Sequence, residues 1–160
     1  MSRKVICNAS PLIFLTKIGR INLLNDLFKE VFVPDGVWAE ATRKPDDVTE
    51  CLRELESSGK FTLFTVKNTV AVSAMIGRLH TGEAEVIVGA GELGIPGVIL
   101  DDGYARSKAA QMGLEVIGTL GILIAGHKNG FVTDIQSEIN NLRKIGFRIS
   151  DSIVEQIIKA

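Results

Sequence analysis

Five short apolar runs, each separated from the next by segments with helical periodicity, set the narrowest limit on how this chain can fold. Val5-Ile6-Cys7, Val31-Phe32-Val33, Phe61 to Val66, Gly97-Val98-Ile99-Leu100 and Glu115-Val116-Ile117 are the strand candidates. Most are continuously apolar rather than alternating, as strands covered on both faces are. Strands that alternate with helices need crossover connections, and crossovers give parallel pairing. The expected fold class is therefore α/β, a mainly parallel central sheet of about four to five strands flanked by helices.

The helical segments follow the same logic. Leu12, Leu15 and Ile18, then Leu23, Leu24 and Leu27, recur at helical spacing, and Gly19 divides them into two helices after a turn at Asn8-Ala9-Ser10-Pro11. Pro34-Asp35 opens a helix that carries Val37, Trp38, Glu40 and Ala41 and stops before Pro45. Asp46 to Ser58 reads as a polar surface helix closed by Gly59. Thr81 is placed to N-cap a helix running through Glu83, Ile87 and Ala90 to Leu93. Ala105 to Met112 is helical, and three further helices are expected at Leu120 to Lys128, Thr133 to Lys144 and Asp151 to Lys159. No linker, repeat or low-complexity tract divides the 160 residues, so one domain is expected, with 1–130 as the α/β core and 131–160 as C-terminal helices.

Composition excludes several functional classes. A net charge of −1 provides no global field to attract nucleic acid, so any such contact has to come from a local patch or a bound metal ion. Cys7 and Cys51 show no CxxC spacing, and with only His80 and His127 beside them a closed zinc site is not expected. Asn8 and Pro11 interrupt the apolar stretch behind Arg3 and Lys4, so it does not read as a signal peptide, and no run is long enough to span a membrane. A cytoplasmic location is the expectation. Gly89-Ala90-Gly91-Glu92-Leu93-Gly94 spells GxGxxG, but Ile95-Pro96-Gly97 and a strand follow, with no helix N-terminus to face a pyrophosphate. Two glycines inside a helix suggest instead close packing against a neighbour.

Chemistry is concentrated where α/β sheets hold their sites, beyond the carboxyl ends of strands. Asn8 follows the first strand, and Asp101 and Asp102 follow the strand that ends at Leu100. Glu83 lies in the first turn of its helix and Glu40 projects from an earlier one. Oxygen donors gathered from such distant segments suit a hard ion, Mg²⁺ or Mn²⁺, which can activate water for phosphodiester displacement. Each residue also has a plainer reading. Glu83 and Glu85 complement a helix dipole, Asp101 or Asp102 caps a helix, Glu40 is a solvated residue and Asn8 a turn residue.

At these residues the chain resembles the PIN-domain family. Val5 to Ile13 is similar to that family's first strand and turn, and Phe32-Val33-Pro34 through Glu40 to the segment bearing its second acid. Leu79 through Glu85, with Ala90 beyond, resembles the helix of the third acid. Val98 to Asp102 with Ala105-Arg106 resembles the segment of the fourth. Gly113-Leu114 through Gly121, and Gly146 to Ser150, extend the similarity over nearly the whole chain.

The resemblance implies a metal-dependent endoribonuclease. It further implies a toxin held silent by a small antitoxin protein, a homodimer, RNA as substrate and Mg²⁺ or Mn²⁺ as cofactor. It assigns Asn8, Glu40, Glu83 and Asp102 to catalysis, with Asn8, Glu83, Asp101 and Asp102 on the metal. Asp101 stands in reserve for Asp102, and Glu85 for Glu83. Ser10 and Arg106 are the expected substrate contacts. Asn8 departs from the pattern, offering a neutral carbonyl oxygen where the family places a carboxylate. A PIN-like binding module without turnover, or an α/β scaffold domain without metal chemistry, are the alternatives.

Overall fold

A computed structural model describes residues 3–160 and fixes the order of elements. The first half runs β1 (Lys4–Cys7), α1 (Ala9–Lys17), α2 (Leu23–Leu27), β2 (Glu30–Pro34), α3 (Asp35–Ala41), α4 (Asp47–Ser57), β3 (Thr62–Phe64) and α5 (Thr69–Met75). The second half runs α6 (Thr81–Leu93), β4 (Gly97–Ile99), α7 (Gly103–Gln111), β5 (Glu115–Ile117), α8 (Thr119–Lys128), α9 (Ile135–Lys144) and α10 (Asp151–Lys159).

The five strands form one parallel sheet in the order β3-β2-β1-β4-β5. The expected parallel α/β architecture is present. β1 lies at the centre, pairing Ile6 with Phe32 on one side and with Val98 on the other. Its Val5, Ile6 and Cys7 are completely buried, as a strand covered on both faces must be. The chain steps outward from β1 through β2 to β3, then returns to β1's other edge to lay down β4 and β5. This reversal opens a crevice at the carboxyl ends of β1 and β4, the usual place for a ligand in an open α/β sheet.

Three local outcomes differ from the sequence expectation. The Asn8 to Pro11 turn is shorter than expected, because α1 already starts at Ala9 and Pro11 is its third residue. Proline fits a first helical turn, where its missing N–H has no intrahelical partner to lose. The N-cap of α6 is His80 rather than Thr81, which is the first helical residue. Finally, α5 lies in a stretch to which the sequence pattern assigns no element. Its apolar stripe is too short to mark a helix: Val72 is buried and Met75, three residues on, packs against the same cluster, while Val70 is exposed. The start is set instead by Asn68, whose side chain accepts the Ala71 N–H at 3.0 Å.

The C-terminal helices are joined to the rest by packing and charge. Ile139 and Leu142 of α9 are fully buried, and Val132 before it nearly so. The carboxylate of Glu138, itself buried, receives the Arg20 guanidinium at 2.8 Å. Among the described residues no helix is long and apolar enough to cross a membrane.

The GxGxxG stretch is helix as far as Leu93 and is closed by Gly94, which takes the left-handed backbone (φ 65°) of a helix C-terminus. Of its two interior glycines, only Gly89 is closely packed. A Cβ there would sit 2.7 Å from the Phe64 ring, whereas one at Gly91 meets nothing within 4 Å. Gly91→Ala should therefore stabilise the protein by roughly 0.5–1 kcal/mol through helix propensity. Gly89→Ala should fall short of that gain by about 1–3 kcal/mol, because the Phe64 ring has to move. Chemical denaturation of the two variants beside the parent measures both.

Candidate active site

The crevice is built from the ends of β1 and β4 and the starts of α1, α6 and α7. Asn8 extends the ladder by donating its backbone N–H to Ile99 O at 3.1 Å, and so is held in the sheet before α1 begins. Its side chain does not cap that helix. The residue is 7% exposed, and its Oδ1 is buried without a hydrogen-bond partner. A buried carbonyl oxygen left unpaired costs free energy on the scale of a lost hydrogen bond. It points to a ligand.

Gly82 brings the next donor into range. A Cβ at this position would lie 3.2 Å from Asn8 Oδ1 and 3.5 Å from Glu40 Oε2. The absence of a side chain at Gly82 thus leaves room between the end of β1 and the exposed Glu40 on α3. Glu83, the next residue, is buried at 6% exposure, with Oε1 accepting the His80 backbone N–H at 2.9 Å. This is the acidic half of a capping box and ties the carboxylate to the first turn of α6. Burial pushes its pKa up, the His80 hydrogen bond partly opposes this, and the nearby charges of Asp102 and Glu40 push it further up. Glu83, Asp102 and Glu40 therefore share one electrostatic environment. Asp102 caps α7 through the Ala105 N–H at 2.9 Å and is otherwise open to solvent.

The two adjacent aspartates do different work. Asp101 Oδ1 accepts the Thr119 backbone N–H at 2.7 Å. Its Oδ2 accepts hydroxyl hydrogens from Thr119 at 2.6 Å and Ser10 at 3.1 Å. The carboxylate joins the starts of α1 and α8 to the end of β4, and its oxygens are largely spoken for. Ser10, expected at the substrate, donates to Asp101. Arg106 directs Nη1 to the Leu100 carbonyl at 3.0 Å, and a Cβ on Gly118 would strike that nitrogen at 2.5 Å.

Glu85 lies apart from Glu83. Gly82 and Glu85, three residues apart on α6, both face α3, and Glu85 Oε1 abuts Gly36, one helical turn from Glu40. That oxygen is buried without a partner, and burial followed by the charge of Asp35 raises its pKa.

Beside the acids is a pocket of about 360 Å³ with Asn8, Ser10, Glu40 and Glu83 among its walls. Lys17, Arg43 and Lys44 also line it, and none belongs to an ion pair among the described residues. Sequence reading missed these cations because they come from the last turn of α1 and the connection between α3 and α4. Only the packing of α1 on α3 and α4 brings them together. It also missed Thr119, fully buried behind Asp101, for which Gly118-Thr119 directly after a strand was the available signal.

The donor set fits a hard divalent ion. All candidate ligands are oxygens, one is an orphaned buried carbonyl, and three are carboxylates that repel one another. Among the described residues, however, no three His, Cys, Asp or Glu side chains are close enough to enclose a single ion. The exposed Glu40 and Asp102 would have to swing inward to complete such a shell.

A family model described as a PIN domain matches residues 4–160, and the chain belongs to the PIN-domain family. PIN domains are generally nucleases and typically use divalent metal ions. No curated protein matches the chain by sequence.

The charge of Glu83 bears directly on stability. A carboxyl whose folded-state pKa is raised contributes stability that is complete below its ordinary pKa and is lost as pH rises through the folded value. Glu83→Gln should therefore raise the metal-free melting temperature at neutral pH, by ~2–4 °C for each kcal/mol relieved in a chain of this length. That advantage should shrink as pH falls through the raised pKa of Glu83 and vanish below the usual carboxylate range. Thermal melts of both proteins across pH, in chelator, follow it.

Proposed function

We propose that the chain is a metal-dependent endoribonuclease whose metal is held by Asn8, Glu40, Glu83 and Asp102. The observation that carries this reading is the buried, unpartnered Oδ1 of Asn8, aimed at the gap beside Gly82 where Glu40 also arrives. A bound Mg²⁺ or Mn²⁺ would supply an activated water and stabilise charge on the phosphodiester. Asp101 acts as a positioning residue in this scheme, holding Ser10 and Thr119 so that the starts of α1 and α8 keep their spacing from the end of β4. Lys17, Arg43 and Lys44 contact RNA phosphates, and their local positive charge supplies what the net charge of −1 does not. Arg106 supports the end of β4 through Nη1 on the Leu100 carbonyl.

Asn8 also favours a second reading, a PIN-type module that binds RNA without turnover. A neutral ligand gives the ion less charge than a carboxylate does. Incubation of RNA with the purified chain and Mn²⁺ separates the two, with chelator and Glu83→Gln as controls. Cleavage lost in both controls supports the nuclease, and binding without cleavage under every condition supports the module.

Asn8→Asp tests the site itself. The added charge crowds the carboxylates when metal is absent and attracts a divalent ion when it is present, by Coulomb terms of about 1–4 kcal/mol at an effective dielectric near ~20. The variant should melt below the parent in chelator and gain more on addition of Mn²⁺. Equal gains in the two proteins would remove Asn8 from the metal.

The cations make a separate prediction. Replacing Lys17, Arg43 and Lys44 together by Gln should weaken RNA binding and flatten its dependence on salt, by about 0.7 in log–log slope for each single-strand phosphate no longer neutralised. Filter binding over a salt series reads this out. An unchanged slope would place the RNA elsewhere.

A further inference from the structure

We propose that Arg78 and Tyr104 form a stacking platform for one unpaired base of the RNA strand, beside the acids; this rests on the nuclease reading above. The Arg78 guanidinium lies over the Tyr104 ring, 4.3 Å from its centroid, and both side chains are exposed. Tyr104 is the chain's single tyrosine and sits in the first turn of α7, two residues after Asp102. Arg78 comes two residues before His80, whose backbone N–H holds Glu83. The stack therefore joins the two segments that deliver Glu83 and Asp102.

The loop between α5 and α6 is shaped to present the arginine. Gly77 adopts φ 147°, a backbone conformation open to glycine, and donates its N–H to Leu79 O at 3.2 Å. Leu79 is 3% exposed and anchors the loop in the core, which leaves Arg78 at the outer edge. No ion pair among the described residues involves Arg78, so its charge is engaged by the ring alone. A planar guanidinium with one face on an aromatic ring leaves its second face free to stack. Unpaired RNA bases are recognised by stacking on aromatic rings and arginine planes of this kind. A base within a duplex cannot reach such a platform, so the stack selects single-stranded or looped RNA.

The test uses a single-stranded RNA carrying one 2-aminopurine, whose fluorescence falls on stacking, titrated with the full chain in chelator and in Mn²⁺. The parent should quench the probe in both, since neither platform residue is an acid. Tyr104→Leu and Arg78→Ala should abolish quenching and weaken binding roughly tenfold, while Tyr104→Phe keeps both. Arg78→Lys, which retains charge but not the plane, should lose quenching yet keep the salt slope. Absence of quenching by the parent, or quenching that survives both Tyr104→Leu and Arg78→Ala, overturns the platform. So does loss of quenching in Tyr104→Leu that is matched by an equal fall in melting temperature and is not reproduced by Arg78→Lys. Cleavage of the same RNA by the parent is scored independently. Cleavage without quenching removes the platform and leaves the nuclease, and quenching without cleavage does the reverse.

Discussion

Burial of β1 between β2 and β4 is the constraint from which the site follows. A strand hydrogen-bonded along both edges and covered on both faces cannot slip by one residue without turning its side chains to the opposite face. Ile6 is held by Phe32 and Val98 in a single register, and the Asn8 N–H continues the pairing to Ile99. That register decides where the chain emerges after Cys7, and so where Asn8 places its carbonyl. The crevice exists because the next strands on the two sides of β1 come from different halves of the chain.

Asp101 is the second element of this frame. Its carboxylate gathers an N–H and two hydroxyls from the starts of two helices at the exit of β4. A charged acceptor bonded in this way is stronger than a neutral one, and removing it would leave buried Thr119 with unmatched hydrogen-bonding groups. The neighbouring Asp102 is free of that duty and commits only one oxygen to its helix cap. Two identical side chains thus take separate tasks because Asp101 faces Ser10 and Thr119 while Asp102 stands at the N-cap of α7.

Capping and site chemistry coexist at the same residues. Glu83 serves the first turn of α6 and Asp102 that of α7, so the plain structural roles of these acids are real. Those roles fix the backbone while one carboxylate oxygen of each remains uncommitted. The tension lies in burying Glu83 close to other acids: burial first, and the charges of Asp102 and Glu40 after it, push its pKa up. Such opposition between folding and local charge is common where a site is built for a ligand of the other sign.

The sequence by itself determined the parallel α/β fold, because five buried apolar runs separated by helical periods admit few other arrangements. It also determined that the polar residues closing β1 and β4 would lie at one edge, since parallel strands present all their carboxyl ends together. It named Asn8, Glu40, Glu83 and Asp102, and ranked Asp102 over Asp101 and Glu83 over Glu85 only through the family resemblance. Spacing along the chain does not say which oxygens are already hydrogen-bonded. The helix at Thr69–Met75 escaped it because two turns carry too short an apolar stripe, Val72 and Met75, to stand out. Tertiary structure alone decided that Asp101 would bind Ser10 and Thr119, that Glu85 would lie against Gly36, and that Lys17 would meet Arg43 and Lys44 across the pocket. Each of these depends on contacts between residues far apart in sequence, and such contacts are set by the packing angles of helices on the sheet, which no local pattern encodes.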